Sequence, residues 1–434
     1  MREAVKDYET VKQAVDAAAA VHGDPSWLID RRLAAVDGVA KLPLPEMRRL
    51  DFHRWPLTAN TELNWHDSDA KLADDGAGDN QRIQVVQVGQ TTVSIALPQA
   101  LADQGVILTD IFTAFQKYPE LTQKYFMTKV IPANEDKLTS YHAAFLNAGV
   151  FLYVPKGVVV DKPVEIYTVQ DSTFKAPLVA HVLVVAEANS DVQVIQHLST
   201  KGEEENVASC VVEIDVKPNA NVHFSSLDEF GPKTQTYLNR RAYLEADAKM
   251  EWAIGMMNDA NTVADFATEL VGDGSQADSK VIAITSAKQH DGINNRVTNR
   301  GKHSTANILQ RGVLLEKSEL IFNGIGHIVH GASGANAEQE SRVLMMSDYA
   351  HGDANPILLI DENDVIAGHA ASVGQVDEDQ LYYLMSRGID KALAQRLVIR
   401  GFLGAVLSAI PLPEVQQEMI AILERKLEDG QKFE

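Results

Sequence analysis

Glu187-Ala-Asn-Ser-Asp-Val192, Lys217-Pro-Asn-Ala-Asn-Val222 and Glu245-Ala-Asp-Ala-Lys-Met250 are three versions of one phrase: small and polar residues leading into an apolar one. Looser versions follow at Gln276-Ala-Asp-Ser-Lys-Val281 and His303-Ser-Thr-Ala-Asn-Ile308. The apolar landmarks Val192, Val222, Met250, Val281 and Ile308 recur roughly every 30 residues, a period that signals a solenoid. Around them lie strand-like runs, among them Val164–Val169, Val179–Ala186, Val192–Gln196, Val207–Val216, Tyr237–Leu244, Val281–Ile284 and Asn307–Leu315, with almost no helical stretch between. One coil of such a chain cannot bury its own inner face, so stacking of neighbours makes the core. A corner made again and again favours a parallel β-helix over an irregular sandwich or a doubly wound sheet.

Working outward, the flanks read differently. In residues 1–144, Val11, Val15 and Ala18 recur at helical spacing, and Trp27, Leu28, Arg31 and Leu33 continue after Pro25. Ala70–Asn80 is acidic and turn-forming, a short strand-like patch covers Ile83–Val88 and Thr92–Leu97, and Asp110 is placed to cap a helix running to Phe126. After the β core of residues 145–375, the segment 376–434 turns helical. Asp377 starts a helix with Leu381, Leu384 and Met385 on one face, stopped by Gly388. Asp390 starts a second, with Leu393, Leu397 and Phe402. Pro413 opens a third, whose stripe is Val415, Met419, Ile420, Leu423 and Leu427. Helices at both ends of a solenoid would cover strand edges that otherwise template aggregation.

The chain has 434 residues, with 39 basic against 60 acidic side chains, a formal charge of -21. A field of that sign repels nucleic-acid backbones and anionic membranes, so neither is an expected partner. Met1–Thr10 is polar with no apolar core behind it, and no stretch approaches the ~18 apolar residues of a membrane span, so a cytoplasmic protein is expected. The single cysteine, Cys210, lies in an apolar strand pattern and reads as a small buried hydrophobe.

Motifs for catalysis fail on spacing or context. Gly301-Lys302-His303 lacks the flanking residues of a phosphate loop. Gly272-Asp-Gly274-Ser-Gln-Ala277 has the letters of a dinucleotide fingerprint but leads into a strand, where that loop needs a helix. His327 and His330 would share a helix face, but in a strand they part to opposite sides.

The C-terminal third is more specific. Leu320-Ile-Phe-Asn-Gly-Ile-Gly-His327, Ala337-Glu-Gln-Glu-Ser-Arg-Val-Leu344, Asp353-Ala-Asn-Pro-Ile-Leu-Leu-Ile-Asp361, Ala367-Gly-His-Ala-Ala-Ser-Val-Gly374 and Asp379-Gln-Leu-Tyr-Tyr-Leu-Met-Ser-Arg-Gly-Ile389 follow in order. With Gly149–Val158 and Leu50-Asp-Phe-His-Arg-Trp55, they resemble the SufB/SufD family of iron–sulfur cluster assembly proteins, its SufD branch in particular.

The resemblance implies a right-handed parallel β-helix between helical regions and a non-catalytic role. Such chains pair with a SufB-type scaffold and dock the ABC-type ATPase SufC to build and pass on nascent clusters. The C-terminal helical region is the family's ATPase-docking part, which makes Tyr382, Tyr383, Leu384, Arg387 and Gly388 the candidate contacts; plain helix packing is the alternative, above all for Leu384. A cluster wants about four thiolate or histidine ligands. With one cysteine, and Ala350 where the SufB-type scaffold carries a functional one, this chain is expected to bind no cofactor alone and to meet a transient Fe–S cluster only within the heteromeric complex. The family's interface histidine maps onto His369, either an iron ligand or an interface hydrogen bonder. A β-edge suited to a sister chain also makes a homodimer an expectation for the isolated chain. The rivals are a self-sufficient SufB-like scaffold, which lacks its cysteines here, and a β-helix carbohydrate enzyme, which would need a cleft of stacked acids and aromatics.

Overall fold

The computed structural model describes residues 7–66, 82–408 and 413–431. Its centre is a parallel β-solenoid of about eight turns. From Val164–Ser172 to Ile366–Gln375 the strands alternate between two sheets, and each strand pairs in parallel with the strand one coil away. The ladder runs through Val192, Val222, Met250, Ala277, Ala306, Ala337 and Ala367, giving coils of 27 to 31 residues. The first three landmarks read from the sequence stand on this ladder. Val281 and Ile308 do not: Val281 pairs with Ile254, and Ile308 with Ser279. The later corners replace the Asn and Asp of the phrase with Gly274, His303 and Gly334, so the apparent copies slipped by several residues.

Each corner on this ladder turns on one residue in the left-handed region: Asn189, Asn219, Asp247, Gly274, His303 and Gly334, with φ from 55° at His303 to 74° at Gly334. Asparagine, aspartate and glycine tolerate that region best, which is why they recur in the phrase. The N–H of each corner residue donates to the carbonyl one coil on: Asn189 to Pro218 O, Asn219 to Ala246 O, Asp247 to Asp273 O and His303 to Ser333 O, at 2.9 to 3.1 Å. The asparagine amides add a rung, Asn219 Nδ2 donating to Asn189 Oδ1 at 2.7 Å. The letters of a dinucleotide fingerprint at Gly272–Ala277 are one of these corners.

The interior is filled by facing side chains of both sheets, among them Val194, Phe224, Trp252, Leu238, Phe266 and Phe322. It also encloses a charge pair. Arg240 holds Asp228 through two bonds of 2.8 and 2.6 Å, and both are fully buried.

Helical layers lie on the broad faces of the sheets, not over the ends of the stack as expected. Helices Tyr8–His22, Ser26–Lys41 and Lys137–Phe145 bury Val15, Val36 and Phe145 against Val179, Leu183 and Val211 of one sheet. Helices Lys391–Leu407 and Pro413–Gln431 bury Leu403, Met419 and Leu423 against Ile195, Ile282 and Val313 of the other. The reason is the residues that point outward from those strands: they are apolar, and each face needs a cover. A strap spanning residues 44–57 continues the cover, with Phe52 buried against Tyr237 and Val263. It hydrogen-bonds an asparagine ladder, Asn294 to Glu46 O and Asn323 to Arg48 O, and Arg49 reaches Asp353 at 3.0 Å.

Other details depart from the sequence reading. The helix capped by Asp110 is broken by Pro119 into Ile111–Lys117 and Pro119–Tyr125. Lys137–Phe145 is an additional helix, opened by the Asp136/Thr139 capping box. The strands His290–Asn299, Asn336–Met345, His351–Ile360 and Ile366–Gln375 lack the apolar alternation that would have marked them, and Thr262–Leu270, with Ala264, Phe266 and Leu270 inward, is a further strand. Met385, Leu393 and Leu397 are exposed, not buried. The segment Ala70–Asn80 and the side chain of Val415 lie outside the described residues. No helix among the described residues is long and apolar enough to cross a membrane.

A β-branched residue cannot adopt the corner conformation without strain of about 1–3 kcal/mol. Asn219→Val should therefore lower the unfolding free energy measured in urea by that amount, and the midpoint with it, whereas Asn219→Gly should stay within about 1 kcal/mol of the parent. Equal midpoints for the two variants would contradict the corner account.

Candidate functional site

The two sheets finish differently at their two ends. At the N-terminal end, the antiparallel strands Thr91–Ala96 and Ile107–Asp110 close the stack. At the C-terminal end, His351–Ile360 and Ile366–Gln375 are the outermost strands of their sheets. Each has a neighbour on one side only. An edge strand of ten residues presents a row of unpaired N–H and C=O groups, which natural proteins normally blunt or cover.

His369 lies in the middle of the last strand, in register with Gln339, which stands in register with the interior residue Ile308. It belongs to the inward-facing column, yet it is exposed because no further coil covers it. Ala367, Ala371 and Val373 share that parity, and Ile366 at 65%, Leu359 at 47% and Val373 at 40% exposure make the two last strands partly apolar. Gly368 has open space where a side chain would stand. The preceding corner carries Ala350, half-buried, and Tyr349, 76% exposed with the Lys317 ammonium 5.3 Å from its ring.

The C-terminal candidates share one short helix, Glu378–Ser386, which Asp377 caps through the N–H groups of Asp379 and Gln380. No residue of it is buried. Tyr382 and Tyr383 are 74% and 57% exposed, and the Arg387 guanidinium sits 5.2 Å from the Tyr383 ring. Gly388, at φ 88°, ends the helix in the left-handed conformation. Leu384 is half-buried, in keeping with its packing alternative. Beside them Met385, Leu393 and Leu397 are exposed apolar side chains; sequence periodicity assigned them inward, and only the absence of a covering element shows otherwise.

Two other features take their places in the scaffold. Cys210 is buried in the interior, flanked in register by Ala180 and Leu238, and burial pushes its thiol up to about 12. Such burial favours the protonated thiol over the thiolate. His327 and His330 each meet an acid, Asp361 at 3.1 Å and Glu362 at 3.5 Å. Among the described residues no group of three or more His, Cys, Asp and Glu side chains is placed to hold a metal ion. A cavity of about 290 Å³ opens between residues 129–135 and the adjoining sheet. Its acids are each paired, Glu135 and Asp265 with Arg241 and Glu269 with Arg300, so it is not a cleft of free acids.

The last coil thus offers two accessible imidazoles, His369 in the middle of its last strand and His351 at the start of the strand before it, at an unpaired, partly apolar end of the stack. Two imidazoles are fewer than the about four ligands that an iron–sulfur cluster wants.

Comparison with known proteins agrees with this arrangement. Residues 168–402 match the family model described as the SUF system FeS cluster assembly SufBD core domain, and residues 81–166 match the SufBD protein N-terminal region. The chain is 42% identical over 421 residues to the iron–sulfur cluster assembly protein SufD of Bacillus subtilis, covering 94% of this chain and 95% of that one. It is 25% identical over 422 residues to an iron–sulfur cluster assembly SufBD family protein of Staphylococcus epidermidis, covering 93% and 90%.

Iodoacetamide should leave Cys210 unmodified in the native protein at neutral pH and alkylate it fully in urea. Stoichiometric native labelling, read by mass, would contradict the buried thiol.

Proposed function

The chain belongs to the SufB/SufD family of iron–sulfur cluster assembly proteins, and from that premise we propose that it works as a SufD-type, non-catalytic subunit of a cytosolic assembly complex. Its partners in this reading are a SufB-type scaffold carrying the cysteines and a SufC-type ABC ATPase. The observation that carries the reading is the uncovered last coil with His369 at its centre.

Physical chemistry favours the pairing. A sister solenoid docking against His351–Ile360 and Ile366–Gln375 would pair backbone groups now facing solvent, each net hydrogen bond contributing about 0.5–1.5 kcal/mol. It would also bury Ile366, Leu359 and Val373, whose apolar surface contributes about 25 cal/mol per Å² removed from water. The same end accounts for self-pairing of the isolated chain.

Within the pair His369 lends an imidazole across the interface. A neutral imidazole replaces thiolate in some iron–sulfur centres, and the partner's thiolates complete the set. The cluster is cargo here, built and handed on. Alanine at 350 leaves the thiolate chemistry of that corner to the partner.

The ATPase is assigned to the helix Glu378–Ser386 and its stop. Tyr382, Tyr383 and Arg387 present the side chains that dominate interface hot spots, with Leu384 and Gly388 setting the shape beneath them. Nucleotide-driven movement of the ATPase would reach the last coil through the short connection 376–377 between the strand ending at Gln375 and this helix.

His369→Ala should leave the urea midpoint and partner binding unchanged while cutting cluster yield severalfold in anaerobic reconstitution with both partners, measured as bound iron and sulfide. An unchanged yield would reduce His369 to an interface hydrogen bonder. Replacing Tyr383 and Arg387 together by alanine should weaken ATPase binding at least tenfold, about 1.4 kcal/mol. Parent-like affinity in a titration calorimeter would place the contact elsewhere.

A further inference from the structure

One row of polar side chains crosses five coils on the outer face of one sheet. Asn239, Asp265, Asn294, Asn323 and Asn355 stand in register on the strands Thr234–Leu244, Thr262–Leu270, His290–Asn299, Glu319–Ile328 and His351–Ile360. Arg241 bridges the first two rungs, donating to Asn239 Oδ1 at 3.1 Å and to Asp265 Oδ2 at 2.7 Å. From there each amide donates back to the coil before it. Asn294 Nδ2 reaches Asp265 Oδ1 at 3.4 Å, Asn323 Nδ2 reaches Asn294 Oδ1 at 3.0 Å, and Asn355 Nδ2 reaches Asn323 Oδ1 at 3.2 Å. The direction has a cause. The Asp265 carboxylate only accepts, so Asn294 must turn its amide N–H groups toward it, and each later amide is aligned by the one before.

An amide nitrogen carries two N–H groups, and on two rungs the strap takes the second. Asn294 Nδ2 donates to Glu46 O at 3.3 Å and Asn323 Nδ2 to Arg48 O at 3.4 Å. The strap lies this close because Gly292 has no side chain: a Cβ there would stand 2.6 Å from Leu50 and 3.0 Å from Met47. It turns back before the last rung, at Arg49, which takes the left-handed conformation, φ 69°, and pairs with Asp353 at 3.0 Å. Asn355, half-buried, is therefore left open twice. Among the described residues its Oδ1 accepts no hydrogen bond, and its second N–H finds no acceptor.

The last two strands offer little else to fix how a further strand sets against them. Gly368, Ala370, Ala371 and Ser372 are small, and small side chains specify register weakly. Pro356 gives its strand one backbone N–H fewer. A residue opposite Asn355 on an added strand has its Cβ about 4.5–5.5 Å away, a separation that neighbouring side chains bridge. A side-chain amide is the complement. In one plane it offers a donor for the Asn355 Oδ1 and an acceptor for the free N–H, whereas an ammonium or a carboxylate offers one of the two.

We propose that Asn355 sets the register of the sister scaffold, which places a side-chain amide opposite it and extends the ladder by one rung into the partner. The proposal rests on the docking of the sister chain at the last coil and adds the residue that reads its position.

Titration calorimetry and amide hydrogen exchange of the full chain with the cysteine-bearing scaffold test this. In the parent, both last strands should gain protection on mixing. Asn355→Leu, of similar shape but without either polar group, should weaken scaffold binding at least tenfold while the strand Thr305–Leu314 of the free chain exchanges as in the parent. Asn355→Asp, which keeps an acceptor and loses the N–H groups, should also bind more weakly than the parent. Parent-like affinity of Asn355→Leu, with both last strands protected, would overturn the rung and leave the docking reading standing. Affinity of Asn355→Asp equal to the parent's or above it would mean a partner group that only donates, and would overturn the amide. Absence of protection on both strands in the parent would overturn the docking reading and the rung with it.

Discussion

Every coil of this protein must return the chain to the register it left. A strand inside the stack has both backbone edges occupied, one by the coil before and one by the coil after, and a slip of one residue would turn its inward side chains to the outside. Register is held at the corners. The N–H of the left-handed residue reaches the carbonyl of the next coil, so a turn that is strained alone becomes a fixed point once stacked. The remaining features follow from that ladder: an interior that neighbours fill together, two broad sheet faces that need covering, and two ends that need closing. The faces receive the helical layers and the strap of residues 44–57. The N-terminal end receives antiparallel strands. The C-terminal end receives nothing within the described residues, and that open end is where the functional reading begins.

The corners were legible in the sequence as long as they kept their asparagine or aspartate. Asn189, Asn219 and Asp247 fell on the true ladder; where Gly274 and His303 took over, the landmarks Val281 and Ile308 fell four and two residues past the ladder residues Ala277 and Ala306. The apolar strands were legible too. The strands that escaped notice carry polar residues at positions where alternation would demand apolar ones. His290–Asn299 is the plainest case: Asn295 faces the interior toward Ser279, and Asn294 belongs to an outward ladder that the strap covers. Periodicity of hydrophobicity sees neither, because both are stabilised by hydrogen bonds, Asn295 across the interior and Asn294 along the ladder and to the strap. The position of the helical layers was hidden for a related reason. The outward residues Val179, Ile195 and Ile282 look like ordinary strand residues until one knows which face they share.

The candidate site was legible chiefly through resemblance. Nothing in the composition around His369 distinguishes it from other histidines such as His327, which meets an acid across the coil. Its place on an inward column with no following coil is a property of topology. Likewise the tyrosines of helix Glu378–Ser386 read as an amphipathic helix in sequence, and their exposure is visible only in the fold. Buried polar groups were the least legible. Arg240 with Asp228, and Glu213 with His181 and His142, are brought together from distant stretches of chain, and their cost in an apolar setting is met by partners that spacing alone cannot reveal.

The central claim is that the last coil is the face this protein shows to its sister chain. Hydrogen exchange of the chain alone and mixed with a cysteine-bearing SufB-type scaffold tests it most directly. The account predicts strong new protection confined to the strands His351–Ile360 and Ile366–Gln375, with the helix Glu378–Ser386 left free until the ATPase is added. Protection on the helical layers, with both last strands still exchanging as in the isolated chain, would contradict it.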